Sequence, residues 1–243
     1  MPEQNLVIRP LPRSAMNVLP LKERMKIMRR HMPELAPQVR CRNFEEVNRG
    51  LEAADALAEA TRCLACAKPG CVVDCPVGVK IKEIVALIYA GEFLAAAAKL
   101  REDNALPAIT GRVCPQENQC EGGCVLGRKG APVAIGNLER FVADYERASG
   151  QLGLPSNAPA TGKSVAIVGS GPAGLSAAGD LVQKGHRVRV FEALHELGGV
   201  LVYGIPEFRL PKTIVKKRWR TCAGEASSSR PTWSSAKASP STS

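Results

Sequence analysis

Three stripes of apolar residues at helical spacing, seven cysteines gathered into two short runs, and a strand, glycine-rich turn, helix and second strand in succession predict the fold class. That class is a mainly α-helical, cysteine-rich domain followed by an incomplete α/β unit of the Rossmann type. At 243 residues and 45% hydrophobic content the chain can build one large or two ordinary cores. No uncharged apolar run approaches the ~18 to 20 residues of a membrane span, and Pro2, Pro10 and Pro12 stand where a signal peptide would need its apolar stretch, so a cytoplasmic protein is expected. Nine cysteines in such a chain point to metal or redox use rather than to disulfides. The net charge of +10 raises nucleic acid as a partner. Aromatic residues make up only 4%, however, and the basic excess lies in the segment from Arg9 to Arg30 and at the chain's end. A solvated basic face, or one that meets an acidic redox partner, accounts for it.

Residues 1–40 are rich in Pro and Arg, with one short helical stretch from Leu21 to Arg30, and read as an extension lying on something else. Residues 41–150 read as short helices separated by Cys, Pro and Gly turns. Ile81, Ile84, Val85 and Ile88 follow the i, i+3, i+4, i+7 spacing, Phe93, Ala97 and Leu100 repeat it, and Leu138, Phe141, Val142 and Tyr145 form a third stripe. These stripes are ordinary helical core. Residues 151–162 have the composition of a linker, and residues 163–217 open an α/β unit with the apolar strand SVAIVG, a helix from Pro172 to Lys184 and the strand RVRVFE. Only two strands of that sheet are encoded, and both faces of VAIV and VRVF would need cover.

Cys63, Cys66, Cys71 and Cys75 form C-x2-C-x4-C-x3-C-P, and Cys114, Cys120 and Cys124 form C-P-x4-C-x3-C about forty residues on. A cubane cluster needs four ligands around a compact core, which short Cys spacings allow one loop to supply while a distant Cys closes the fourth iron. A structural zinc site would call for paired C-x2-C knuckles, and only one is present. Two cubanes need eight ligands, so seven cysteines imply one ligand of another type. On chemistry alone Glu121, Gln119, Asp74 and Glu139 can each offer an oxygen, and spacing does not choose among them. Cys41 stands outside both runs and reads as a small buried residue.

After the first strand, Gly169-Ser170-Gly171-Pro172-Ala173-Gly174 is a G-x-G-x-x-G fingerprint. Its first glycine permits the tight turn, its second lets a pyrophosphate approach the backbone, and its third lets helix pack on strand. Pro172 suits the first helical position, and the helix N-terminus favours phosphate. Glu192, at the end of the second strand, is the acid expected to accept a ribose hydroxyl. NAD fits the same geometry; the Gly198-Gly199 pair beyond the acid favours FAD.

On the strings RCLACAKPGCVVDCPV, GRVCPQENQCEGGCVLGRKGAPVAIGNLERF, VAIVGSGPAGLSAA and YGIPEFRLPK, residues 40–217 resemble the beta subunit family of NADPH-dependent glutamate synthase. The same strings are similar to the large subunit of ferredoxin:NADP oxidoreductase (sulfide dehydrogenase) and to the N-terminal region of dihydropyrimidine dehydrogenase. The resemblance implies a helical domain of the alpha-helical ferredoxin type with two interleaved 4Fe-4S clusters. One would be held by Cys63, Cys66, Cys71 and Cys124, the other by Cys75, Cys114, Cys120 and Glu139. It implies that Gly169 to Ala173, Glu192, Val200 and Arg209 contact FAD, and that electrons pass from NADPH through FAD and both clusters to a partner protein. That partner is the glutamate synthase large subunit or another redox protein.

The family's segment after FRLPK, with its NADPH-binding domain, has no counterpart in residues 218–243, whose last nineteen positions hold eight serines. Reading each codon one base earlier lets Ala226 to Ser243 become GVEFQTNVVIGKGVTIDE, which is similar to the family's continuation. A one-base deletion near Lys217 is therefore expected, and with it weak FAD binding and no NADPH oxidation. The alternatives are a ferredoxin:NADP or sulfide oxidoreductase subunit and, in another class, a zinc-stabilised basic module that binds nucleic acid.

Overall fold

A computed structural model describes residues 19–151 and 158–216. The first part of the basic leading segment, the centre of the linker and the serine-rich tail lie outside the described residues.

The first core is helical. Helices α3 (Ala53–Thr61), α5 (Ile81–Tyr89), α6 (Phe93–Arg101) and α8 (Ile135–Ser149) pack together through the stripes read from the sequence. Ile88, Leu100 and Val142 are fully buried at its centre. Gly91, at φ +74°, reverses the chain between α5 and α6, a conformation that glycine adopts without the penalty of a Cβ. The reversal brings Phe93 edge-on to Phe141 and Tyr145, with ring centroids 5.0 Å apart in both pairs. Such edge-to-face contacts add to simple burial. Gly150, in the left-handed conformation, caps α8.

The expected helix from Leu21 to Arg30 is shorter than its composition suggests: α1 covers Leu21–Arg24 only. The reason lies in side chains from α3 that capture the backbone beyond it. Arg62 Nε donates to Ile27 O (3.0 Å), and Glu59 Oε2 accepts from Arg30 N (2.6 Å). Glu59 is fully buried, and its other oxygen accepts from Arg62 Nη1 (2.6 Å) and Ala134 N (2.8 Å). Arg62 also reaches Pro132 O (2.8 Å) and Ala131 O (2.6 Å). A buried ion pair is tolerated only when its remaining donors and acceptors are met, and here they tie residues 27–30 and the 131–134 loop to one point. The extension from residue 19 onward is therefore a strap laid on the helical core. A second short helix, α2 (Pro37–Arg40), follows it.

The second core is built on β1 (Ser164–Val168), α9 (Pro172–Gln183) and β2 (Arg187–Phe191), the two strands pairing in parallel from Ser164↔Arg187 to Val168↔Phe191. Val188 and Val190 are buried against Leu175 and Ala178 of α9, whereas Arg187 and Arg189 face outward and Val168 is 90% exposed. The described strands thus alternate, one face covered and one open, where a two-strand unit was expected to be unable to bury its apolar faces.

What completes the covered face was not foreseen. Leu106 and Ile109, at the start of α7 (Pro107–Val113), belong to this second core together with Leu201, Leu210, Ile214 and Val215. On its other side α7 packs on α8, where a Cβ at Gly111 would stand 2.7 Å from Arg140 N. The helix is shared between both units. A backbone bond from Val47 N to Phe208 O (2.9 Å) adds a second link.

Candidate functional site

The eight cysteines among the described residues are free thiols. In space they do not group as they do along the chain. Cys63, Cys66, Cys71 and Cys124 line one cavity, walled by Ile81, Val85, Leu126 and Val133 and closed from beneath by Gly70 and Gly123. Burial pushes the Cys71 thiol up to about 11, and Cys124, Cys63 and Cys66 each add to the rise. Cys63 is raised in the same way, by burial first and then by Cys124 and Cys66, while Arg24 opposes the rise. Arg24 belongs to the strap: its Nη1 donates to Cys63 O (3.0 Å), and its guanidinium lies 5.2 Å from the centre of the Tyr89 ring.

Cys124 reaches Cys71 because two glycines let their loops touch. A Cβ at Gly70, which opens α4 (Gly70–Val73), would lie 2.5 Å from Gly123 O. One at Gly123 would lie 2.3 Å from Asp74 Oδ2 and 2.8 Å from the Gly70 carbonyl. No real Cβ occupies such positions, so the contact between the two Cys-bearing turns requires glycine on both sides.

The second group gathers Cys75, Cys114, Cys120 and Glu139. The Cys114 thiol is pushed to about 11 by burial, by Glu139 and by Cys75. Cys120 is pushed to about 12 by burial, by Glu121, by Glu139 and by Cys75. Desolvation raises the Glu139 carboxyl to about 7 against hydrogen bonds from Thr110 and Asn104, the second at 3.0 Å. Of the other three oxygen donors considered, Glu121 is tied to Arg29 Nη2 (2.7 Å) and Gly136 N (3.2 Å), and Asp74 lies against Gly123. Asp74 is not among the charges that raise Cys63, Cys71, Cys114 or Cys120. Cys41 corrects the expectation of burial: it is exposed at the C-terminal end of α2, a helix with no buried residue, and its Sγ faces Gln38 O at 3.5 Å. It shares in neither group.

Four thiols around one cavity, and three thiols with a carboxylate that act on one another, are donor sets that suit polynuclear clusters. Every donor type that two cubanes require is present. The residues fit the group.

At the glycine-rich turn, Gly169 has φ +93°, and a Cβ at Gly174 would lie 2.2 Å from Gly169 O. Those are the tight turn and the close helix packing expected of the first and third glycines. Gly171 is the N-cap of α9, Pro172 occupies its first position, and Ala173 follows on the exposed side of the first turn. Ser170 organises the rest. It is fully buried, its hydroxyl and N–H (2.9 Å) both donate to Glu192 Oε2, and its Oγ accepts from Gly198 N (2.9 Å). These bonds, the hydroxyl's first, hold the Glu192 carboxyl below its ordinary value. Gly199, at φ +52°, backs onto the Gly171 Cα, which a Cβ would approach to 3.0 Å. Val200, more than half exposed, then opens α10 (Val200–Tyr203). Glu192, Gly198 and Gly199 are therefore drawn onto the turn, as the sequence suggested, by a serine whose role it did not reveal. Arg209 lines a polar cavity of about 570 Å³ with Cys114, Arg112, Arg140 and Glu46, between the segment around residue 209 and the second thiol group. Ser170→Ala would leave the buried Gly198 N–H without its partner. The expected loss is about 1–3 kcal/mol, measurable as a lower midpoint in urea.

Known proteins carry the same segments. Residues 40–151 match the family model described as dihydropyrimidine dehydrogenase domain II, 4Fe-4S cluster, and residues 167–227 match the NAD(P)-binding Rossmann-like domain. The chain is 41% identical over 190 residues to the glutamate synthase (NADPH) small chain of Halomonas elongata, covering 78% of this chain and 40% of that one. It is 39% identical over 186 residues to the protein of the same name from Escherichia coli (76% and 39%). It is 41% identical over 160 residues to the NAD-dependent dihydropyrimidine dehydrogenase subunit PreT of Escherichia coli (66% and 39%). The chain spans about 40% of the length of these relatives. Both thiol runs lie inside the first match and the glycine-rich turn inside the second, so the segments that this chain shares with the glutamate synthase small chains are the 4Fe-4S domain and the start of the Rossmann-like domain.

Proposed function

We propose that this chain binds two 4Fe-4S clusters, carries the first part of an FAD site whose two-strand unit holds the flavin only weakly, and corresponds to the electron-transfer part of an NADPH-dependent oxidoreductase. Cys63, Cys66, Cys71 and Cys124 hold one cluster, and Cys75, Cys114, Cys120 and Glu139 hold the other. The observation that carries this reading is the regrouping of the thiols: Cys124 couples to the first run and Cys75 to the second, against their order in the sequence. When bound, the flavin exchanges two-electron hydride chemistry for one-electron transfer through the clusters.

The chain's own residues prepare each site. The apolar wall of Ile81, Val85, Leu126 and Val133 lowers the polarity around the first group, which would favour the less charged, oxidised state of a bound cluster. Its raised thiols must lose their protons on metal binding, so assembly weakens as pH falls. The N-terminus of α9 and the turn amides receive a pyrophosphate. Glu192, held ionised by Ser170, accepts ribose hydroxyls from its fixed position. Val200 follows the Gly198-Gly199 pair at the start of α10, and Arg209 lines the cavity that also reaches Cys114 of the second thiol group.

The relatives named glutamate synthase support a large synthase subunit as the partner and glutamate formation from glutamine and 2-oxoglutarate as the reaction served. PreT, at equal identity, supports a second reading with a different redox partner, of the kind a ferredoxin:NADP or sulfide oxidoreductase subunit also serves. Among the described residues no helix is long and apolar enough to cross a membrane, and free thiols suit a reducing cytoplasm. The test is anaerobic reconstitution of the full chain with iron, sulfide and FAD. Iron and acid-labile sulfide near the content of two cubanes, with two distinguishable reduced centres, are expected. Stoichiometric zinc, or a single cluster, would overturn the reading.

A further inference from the structure

Asn104 is buried between α6 and α7, and every hydrogen-bonding atom of its amide is used. Oδ1 accepts from Leu106 N (2.9 Å), while Nδ2 donates to Thr110 Oγ1 (2.8 Å) and to Glu139 Oε1 (3.0 Å). The set fixes the amide's orientation, because a flipped amide would turn NH2 towards the Leu106 N–H and oxygen towards the carboxylate. Thr110 Oγ1 has one proton and two acceptors within reach, Leu106 O (3.0 Å) and Glu139 Oε1. With the carboxylate ionised, the charge-assisted bond to Oε1 is the stronger. Both hydrogen bonds to Glu139 therefore fall on the same oxygen, and among the described residues none is made to Oε2. Yet the carboxylate is close enough to raise both Cys114 and Cys120.

We propose that Asn104 and Thr110 are positioning residues that tie down Oε1 of Glu139 so that Oε2 alone is offered to iron. This rests on the reading above in which Glu139 ligates the second cluster. The two donors prevent the carboxylate from chelating through both oxygens, and they draw electron density from it, which makes it a weaker donor and raises the potential of that cluster over what a bare carboxylate would give. Hydrogen bonds to a ligand act on a potential in the same sense as those to cluster sulfur. Ile109, the residue before Thr110, is part of the second core, so the donor is held from the flavin-binding side.

The full chain, reconstituted anaerobically, is titrated with both centres followed by electron paramagnetic resonance. Thr110→Val keeps the side chain's shape and removes the hydroxyl. One centre should change line shape, and its reduced-to-oxidised ratio at fixed ambient potential should fall severalfold, while the other stays in place; Thr110→Ser should restore the original behaviour. If Thr110→Val does not assemble, Asn104→Ala removes the other donor and carries the same expectation. Glu139→Gln separates the two claims. If it leaves both spectra unchanged, Glu139 is not a ligand and the underlying reading falls. If it alters one centre while Thr110→Val and Asn104→Ala alter neither, or shift both equally, the positioning role is overturned and the ligand survives.

Discussion

Replacing Cys63 by alanine is expected to remove one cluster and spare the other, so that iron and acid-labile sulfide in the reconstituted chain fall by roughly half. The argument is geometric. Cys63 shares its cavity with Cys66, Cys71 and Cys124, and none of the second group acts on its thiol. Losing one of four thiolates leaves an iron without its protein ligand, whereas Cys75, Cys114, Cys120 and Glu139 keep theirs. Cys41→Ala should change neither quantity, since its side chain is exposed on α2. Metal analysis and the two reduced signals read the outcome. Loss of a cluster from the Cys41 variant with both retained in the Cys63 variant would refute the assignment.

Gly123→Val should abolish the same cluster although no ligand is touched. Any Cβ there would sit 2.3 Å from Asp74 Oδ2 and 2.8 Å from backbone atoms of Gly70. The carboxylate can swing away, but the Gly70 backbone cannot without moving the turn that carries Cys71. Separating the loops by the ~1 Å that van der Waals contact demands takes Cys124 out of reach of the other three thiols, and a cubane has no tolerance for a ligand misplaced that far. The expected result is again about half the iron, with the signal of the second centre intact and the chain still folded by circular dichroism. Wild-type cluster content in this variant would show that the loops separate freely and that their contact does not set the site.

Much of this was legible in the residues themselves. The stripe of Ile81, Ile84, Val85 and Ile88 is a helix core because periodicity reports burial directly, and the same holds for α6 and α8. The turn from Gly169 to Gly174 and its acid Glu192 were legible because each position answers a local steric or hydrogen-bonding need. Contacts between distant segments left no such mark. Gly70 and Gly123 look like ordinary loop glycines until their loops meet, and Ser170 looks like filler in the fingerprint. Arg24, Arg29 and Arg62 read as a basic extension and its neighbour, whereas their guanidinium groups are spent on backbone carbonyls and the buried acids Glu59 and Glu121. The short α1 has the same origin, since composition cannot show that Glu59 and Arg62 will claim the backbone at residues 27–30. Cys41 was misjudged from residue type alone, because small thiols favour interiors on average and α2 presents no interior face.

The place of α7 bears on how the molecule comes apart. Its Leu106 and Ile109 are bedded in the second core, its Gly111 is pressed on α8, and Cys114 lies just past its end. A helix held on both sides is released only when both sides give way, so the two units form a single cooperative opening unit along it. Amide protons of α7 should then be among the slowest to exchange with solvent, and, with Cys114 ligating the second cluster as proposed, chelating iron out of the reconstituted chain should quicken exchange in β2 and α9, on the far side of the helix.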